Sequence, residues 1–137
     1  LKQAVTPYLF VYGTLKSDFN VKAARALRKI SIPIAKANVS GTIYSFGHYP
    51  ALKLHPRSKP VKGEIVRLKN IAASLDMLDR YEEAYLYGID YQREHIFIKT
   101  HSQTIVCQAY INNQSCKGKT VITTGEFKRK RVKTINN

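Results

Sequence analysis

The amino-acid pattern points to an α+β fold rich in strands. An apolar run of strand length at 9–12 closes on a glycine turn, only two segments carry helical spacing, and the remaining patterned stretches read as strands, with Gly47, Pro50, Pro56 and Pro60 as punctuation.

The first strand is predicted at 8–12. Val11 and Tyr12 favour a pleated strand, and Gly13 lets backbone amides approach a ligand closely, with the Thr14 hydroxyl beside them. Such a strand end suits a small anionic group, although a strand closing on a glycine turn is also an ordinary structural feature. The first helix is expected near 17–30, with Ser17 or Asp18 as N-cap and Val21, Ala24, Leu27 and Ile30 at helical spacing; Pro33 prevents its continuation. Strands are expected near 37–46, 49–54 and 61–68, punctuated by Gly47, Pro50, Pro56 and Pro60. Asn70 can cap a second helix running to about Tyr81. Two alternating strands near 91–99 and 103–112, and a last one near 119–124, complete the domain. Pattern alone does not say whether the sheet closes.

With 137 residues and a hydrophobic fraction of 44%, the chain fits one globular domain. The expected division is a single domain over 1–127 and a basic C-terminal tail over 128–137, where FKRKRVK at 127–133 brings five cations together. Lys and Arg outnumber Asp and Glu by 23 to 9, a formal charge of +14, which raises the question of nucleic acid. No RNA-binding or helix-turn-helix pattern accompanies the charge, so nucleic acid is disfavoured as a partner. No apolar run approaches the roughly 18 residues of a membrane span, and the N-terminus lacks a signal-peptide layout, so a cytoplasmic protein with no membrane partner is expected. Cys107 and Cys116 belong to no zinc-ligand cluster. Cys107 lies in an apolar run and is read as a buried inert thiol; a disulfide between the two is neither required nor forbidden.

The segments LFVYGTLK (9–16), GTIYSFGHYPAL (41–52), VKGEIV (61–66), LDMLDRYEEA (75–84), YQRE (91–94) and TTGEF (123–127) occur in that order. Together they resemble the gamma-glutamylcyclotransferase-like superfamily, including its small AIG2-like members, whose hallmarks are a YGSL or YGTL loop and a glutamate ending an LDxxE helix. The likeness runs from about Leu9 to Phe127. It implies a small mixed β-barrel with flanking helices and a substrate cavity at one mouth. It implies release of 5-oxoproline and an amine from a small γ-glutamyl substrate, without metal or other cofactor, with Glu82 as general base and acid. Tyr12, Gly13, Thr14 and Leu15, which carry the loop, would bind the glutamyl end. Thr14 replaces the commoner serine, and Glu83-Ala84 stands where many members have a glycine.

The residues support this chemistry in their own right. Ile71, Leu75, Leu78 and Glu82 are spaced by four, three and four, so a helix that lasts that far places them on one face. A carboxylate there is poorly hydrated and close to the negative end of the helix dipole, and both favour its protonated form. The alternative is a helix that frays first, leaving Glu82 in solvent. Asp76 and Asp79 are read as a solvated flank, Asp76 pairing with Arg80. His48 and Tyr49 fall on a turn before Pro50, and Tyr12, Tyr91 and Tyr110 end or interrupt apolar strands, where a hydroxyl can reach a cavity while the ring packs. Ring closure gives the attacking amine a high effective molarity, so no serine or cysteine nucleophile is needed, and no GxSxG or Cys-His signature is present. Two other readings fit the same residues: a non-catalytic, metabolite-binding member of the fold, and a basic nucleic-acid-binding barrel.

Overall fold

A computed structural model of the chain describes residues 6–85 and 91–128, the side chains of 81–85 and of 91 excepted. The elements, in order, are β1 (Tyr8–Val11), α1 (Lys22–Ile30), β2 (Ser31–Ser45), β3 (Pro50–Leu54), β4 (Pro60–Leu68), α2 (Ile71–Tyr85), β5 (Tyr91–Lys99), β6 (Thr104–Asn112) and β7 (Thr120–Val121). The strands lie in the order β3-β2-β4-β1-β6-β5, with β7 paired to β2. Every pairing is antiparallel except β1 with β6, where Leu9 faces Gln108 in parallel register.

The sheet is mixed and curls into a half-barrel with two helices. Across its seam the Lys53 ammonium of β3 donates to the Asn112 carbonyl of β6 at 2.8 Å, so the expected barrel is bridged at this point by a side chain rather than by a strand ladder. Strand β1 is buried on both faces, which is why its sequence is a continuous apolar run rather than an alternation. Phe10 points into the barrel with Ile43, Leu52, Val61, Ile65 and Ile98. Leu9 and Val11 point the other way and pack under the helices with Leu27, Leu68, Leu75 and Leu78. Leu78 is fully buried, and each such leucine contributes about 1.5–3 kcal/mol relative to an exposed one.

Helix α1 starts at Lys22, several residues after the expected caps, and Val21 precedes it in extended conformation with no side-chain cap. Glu64 of β4 claims Ser17 instead: its carboxylate accepts from the Ser17 amide at 2.8 Å and from the hydroxyl at 2.7 Å. The backbone of 13–19 then forms successive turns, Lys16 N to Gly13 O at 3.1 Å and Phe19 N to Lys16 O at 3.0 Å. The helix ends at Ile30 as expected, and Pro33 stands at a bulge in β2, a position where a missing ladder donor is tolerated. The last strand is only Thr120–Val121, because the chain turns at Gly125 (φ 73), whose carbonyl accepts from the Lys62 amide at 2.8 Å. Cys107 is buried and free, as is the half-buried Cys116, and burial pushes the Cys107 thiol up to about 12.

Candidate active site

The loop at 12–16 leaves the centre of the sheet, and each of its residues is held differently. The Tyr12 ring is buried and stacks on Phe10 with centroids 6.2 Å apart, while its hydroxyl donates to the Tyr110 carbonyl of β6. Tyr12 therefore anchors the loop to a strand that is distant in sequence. Gly13 lies against Pro50, whose Cγ and Cδ would come within 3.0 Å of a side-chain Cβ at this position. A Cβ here would need the Pro50 ring to give way by a few tenths of an ångström, so Gly13 packs tightly at this point. The Leu15 side chain is buried beneath the helices, so of this residue only the backbone is left for the expected contact. Thr14 lines a cavity of about 550 Å³ together with His48, Phe19, Phe127, Ile122 and Glu126.

The turn carrying His48 bends at Gly47 (φ 95), and the Phe46 and Tyr49 rings stack across it at 5.3 Å. His48 thus shares a cavity with Thr14, whereas Tyr49 serves the turn, and burial raises its hydroxyl pKa. Lys16, the residue after the loop motif, is almost fully buried. Its ammonium lies 3.6 Å from Asp18 and 4.0 Å from Glu126, and 5.9 Å from the Phe19 ring centroid. Sequence reasoning missed it, because a lysine after a glycine turn reads as a surface residue until its acidic partners are known.

Helix α2 begins as expected at Asn70, whose carboxamide accepts from the Ala73 amide at 3.2 Å. Leu75 and Leu78 are buried and Ile71 half-buried, the face that the spacing predicted. The helix continues to Tyr85, so position 82 is helical, four residues beyond Leu78. The Glu82 side chain lies outside the described residues, as does that of Tyr91, and so do residues 129–137 of the basic tail.

Asp79 corrects the expectation of a solvated flank. At 3.6 residues per turn, position 79 stands only about 60° around the helix from 82. Its carboxylate accepts from the Tyr110 hydroxyl at 2.6 Å and pairs with Arg93 of β5 at 2.9 Å. Asp76 behaves as predicted, pairing with Arg80 at 3.2 Å on the exposed side. One connected path therefore runs from the loop to the helix: Tyr12 to the Tyr110 backbone, Tyr110 to Asp79, Asp79 to Arg93. Among the described residues no three His, Cys, Asp or Glu side chains gather to hold a metal ion, and no helix is long and apolar enough to cross a membrane.

The family model for gamma-glutamyl cyclotransferase, AIG2-like, matches residues 9–129, from the loop strand through α2 to one residue past the described chain. This protein belongs to that family. Solved structures repeat its fold. YkqA from Bacillus subtilis superposes with a TM-score of 0.67 at 22% identity, over 90% of this chain and 40% of its own. An AIG2-like protein from Mus musculus gives 0.63 at 20% identity, over 80% and 79%. A gamma-glutamyl cyclotransferase gives 0.55 at 17% identity, over 76% and 64%. The chain thus spans less than half the length of YkqA. No curated protein matches the sequence.

Proposed function

We propose that this chain is a gamma-glutamyl cyclotransferase, converting a small γ-glutamyl compound to 5-oxoproline and a free amine. The observation that carries the reading is the path from Tyr12 through Tyr110 to Asp79, which ties the YGTL loop to the LDxxE helix at one end of the sheet. Two motifs far apart in sequence are thereby held by a common strand, β6.

In this reading the α-amine of the glutamyl group attacks its own γ-carbonyl carbon. The new C–N bond closes a five-membered lactam, and the tetrahedral oxyanion collapses by breaking the bond to the departing nitrogen. The attacking nitrogen goes from ammonium to lactam N–H and gives up two protons, while the departing amide nitrogen leaves as an ammonium and takes up two. Glu82 moves them, as base toward the attacking nitrogen and as acid toward the leaving one. Backbone amides of Gly13, Thr14 and Leu15 hold the glutamyl end, and a preorganised donor at the oxyanion lowers the barrier by about 3 kcal/mol. Gly13 fits closely against Pro50, and the Leu15 side chain is locked in the core, which keeps such amides from relaxing away from the substrate.

Incubation with a panel of γ-glutamyl amino acids and γ-glutamyl amines, with 5-oxoproline as the readout, tests the reading. At least one substrate should turn over, and Glu82→Gln should lower its turnover by about 10²- to 10⁴-fold. Turnover by Glu82→Gln at the wild-type rate would remove Glu82 from the mechanism.

A further inference from the structure

We infer that Asp79, Tyr110 and Arg93 form a tether that positions the end of α2, and that this tether sets how accurately residue 82 is presented to substrate. The inference rests on the cyclotransferase reading for its catalytic consequence, but the tether itself stands on geometry. Asp79 is clamped from two strands at once, by the Tyr110 hydroxyl of β6 at 2.6 Å and by the Arg93 side chain of β5 at 2.9 Å. Arg93 and Tyr110 face each other directly in the β5–β6 register, so the two donors come from one cross-strand pair and converge on one carboxylate.

The placement along α2 matters. Its buried leucines end at Leu78, and position 82 lies one turn further, close to the helix end at Tyr85. Terminal turns open most readily, because their backbone hydrogen bonds are the least supported. A charge-assisted clamp at position 79 holds the helix to the sheet just before the residue that must meet the substrate. The same Tyr110 receives the Tyr12 hydroxyl on its carbonyl, so one residue fixes both sides of the site: its backbone holds the loop and its side chain holds the helix. Asp79, Tyr110 and Arg93 are thus positioning residues, acting through Glu82 and the loop.

The test compares wild type with Tyr110→Phe, Asp79→Asn, Arg93→Ala and Arg93→Lys, using the best substrate of the γ-glutamyl panel. Tyr110→Phe keeps the ring and removes only the hydroxyl, and circular dichroism checks that each variant is folded. A misplacement of about 1 Å costs on the order of 10²-fold, so kcat should fall about 10- to 100-fold in Tyr110→Phe, Asp79→Asn and Arg93→Ala. KM should stay within about twofold, because the tether bonds protein to protein and takes no part in holding the substrate. Arg93→Lys, which keeps the charge, should recover most of the loss. Hydrogen exchange gives a readout independent of turnover: protection in the C-terminal half of α2 should drop by about tenfold or more in Tyr110→Phe, with the β1–β4 amides unchanged. Wild-type kcat in folded Tyr110→Phe and Asp79→Asn, or a loss confined to KM, would overturn the inference. If wild type releases 5-oxoproline from no γ-glutamyl compound, the proposed function fails and exchange decides the tether by itself: lost protection supports it, unchanged protection overturns it.

Discussion

Gly63→Ala is a single methyl group placed where the core has no room for it. A Cβ at this position would lie 2.4 Å from Phe10 Cζ, 2.7 Å from Phe10 Cε1 and 2.5 Å from the Val11 carbonyl oxygen. Carbon atoms in contact prefer about 3.5–4.0 Å, so the ring would have to retreat by about 1 Å. Phe10 cannot retreat cheaply, because it is buried and stacked on Tyr12, and the Val11 oxygen belongs to β1 at the centre of the sheet. Overpacking of this kind costs about 1–3 kcal/mol, and replacing glycine by alanine returns about 0.4–1 kcal/mol through the unfolded chain. Because one of the opposing atoms is backbone, the upper part of the range applies and the net loss should be about 2 kcal/mol. With a urea slope of about 2 kcal/mol per molar, the denaturation midpoint should fall by roughly 1 M. Adding Phe10→Leu removes the ring atoms in the clash but leaves the Val11 oxygen, so any rescue should be partial. A Gly63→Ala midpoint equal to or above that of wild type would mean that β1 and β4 separate more easily than their packing implies.

Gly13→Val should lower stability and ligand binding together, since the added atoms meet Pro50 at 3.0 Å and crowd the loop amides; unchanged affinity of the folded variant for a γ-glutamyl analogue would take the loop out of the site. Native protein at pH 8 should react with a thiol reagent at Cys116 and not at Cys107, whose buried thiol is raised from an ordinary 9.0 to about 12. Folding favours the neutral Cys107 thiol, so its contribution to stability is complete below about pH 9 and is lost as pH rises through about 12, and denaturant midpoints measured across that window should fall. Ending the chain after Phe127 should keep the fold and 5-oxoproline release while weakening salt-sensitive binding to nucleic acid; binding that is tight, sequence-selective and persistent in about 0.2 M salt would favour the basic-barrel reading instead. Phe127→Ala, by contrast, should cost about 3–5 kcal/mol, because that ring is buried and stacked on Phe19 at 5.6 Å, a loss that thermal or urea unfolding would register.

Features that depend on neighbours along the chain are legible in the amino-acid order alone. A run of Leu9, Phe10 and Val11 ending at Gly13 specifies a strand and a turn, Asn70 specifies a helix start, and the spacing of Ile71, Leu75 and Leu78 specifies which side of that helix is buried. The ordered motifs from the YGTL loop to TTGEF also determined the family, because they sample nearly the whole chain. Features that depend on partners far away in sequence are set by the way the strands assemble. Ser17 has the right chemistry for an N-cap, but Glu64 lies across the sheet and takes both its donors, so the helix waits until Lys22. Asp79 has the composition of a surface residue, yet the pairing of β5 with β6 brings Arg93 and Tyr110 together on its carboxylate. Lys16 is buried because Asp18 and Glu126 converge on it, and the sheet curls far enough for Lys53 to reach Asn112. In each case the sequence supplies the hydrogen-bonding capacity, and the strand order selects which partner satisfies it. That selection cannot be read along the chain, because the competing partners are equivalent in local chemistry and differ only in the distance the fold puts between them.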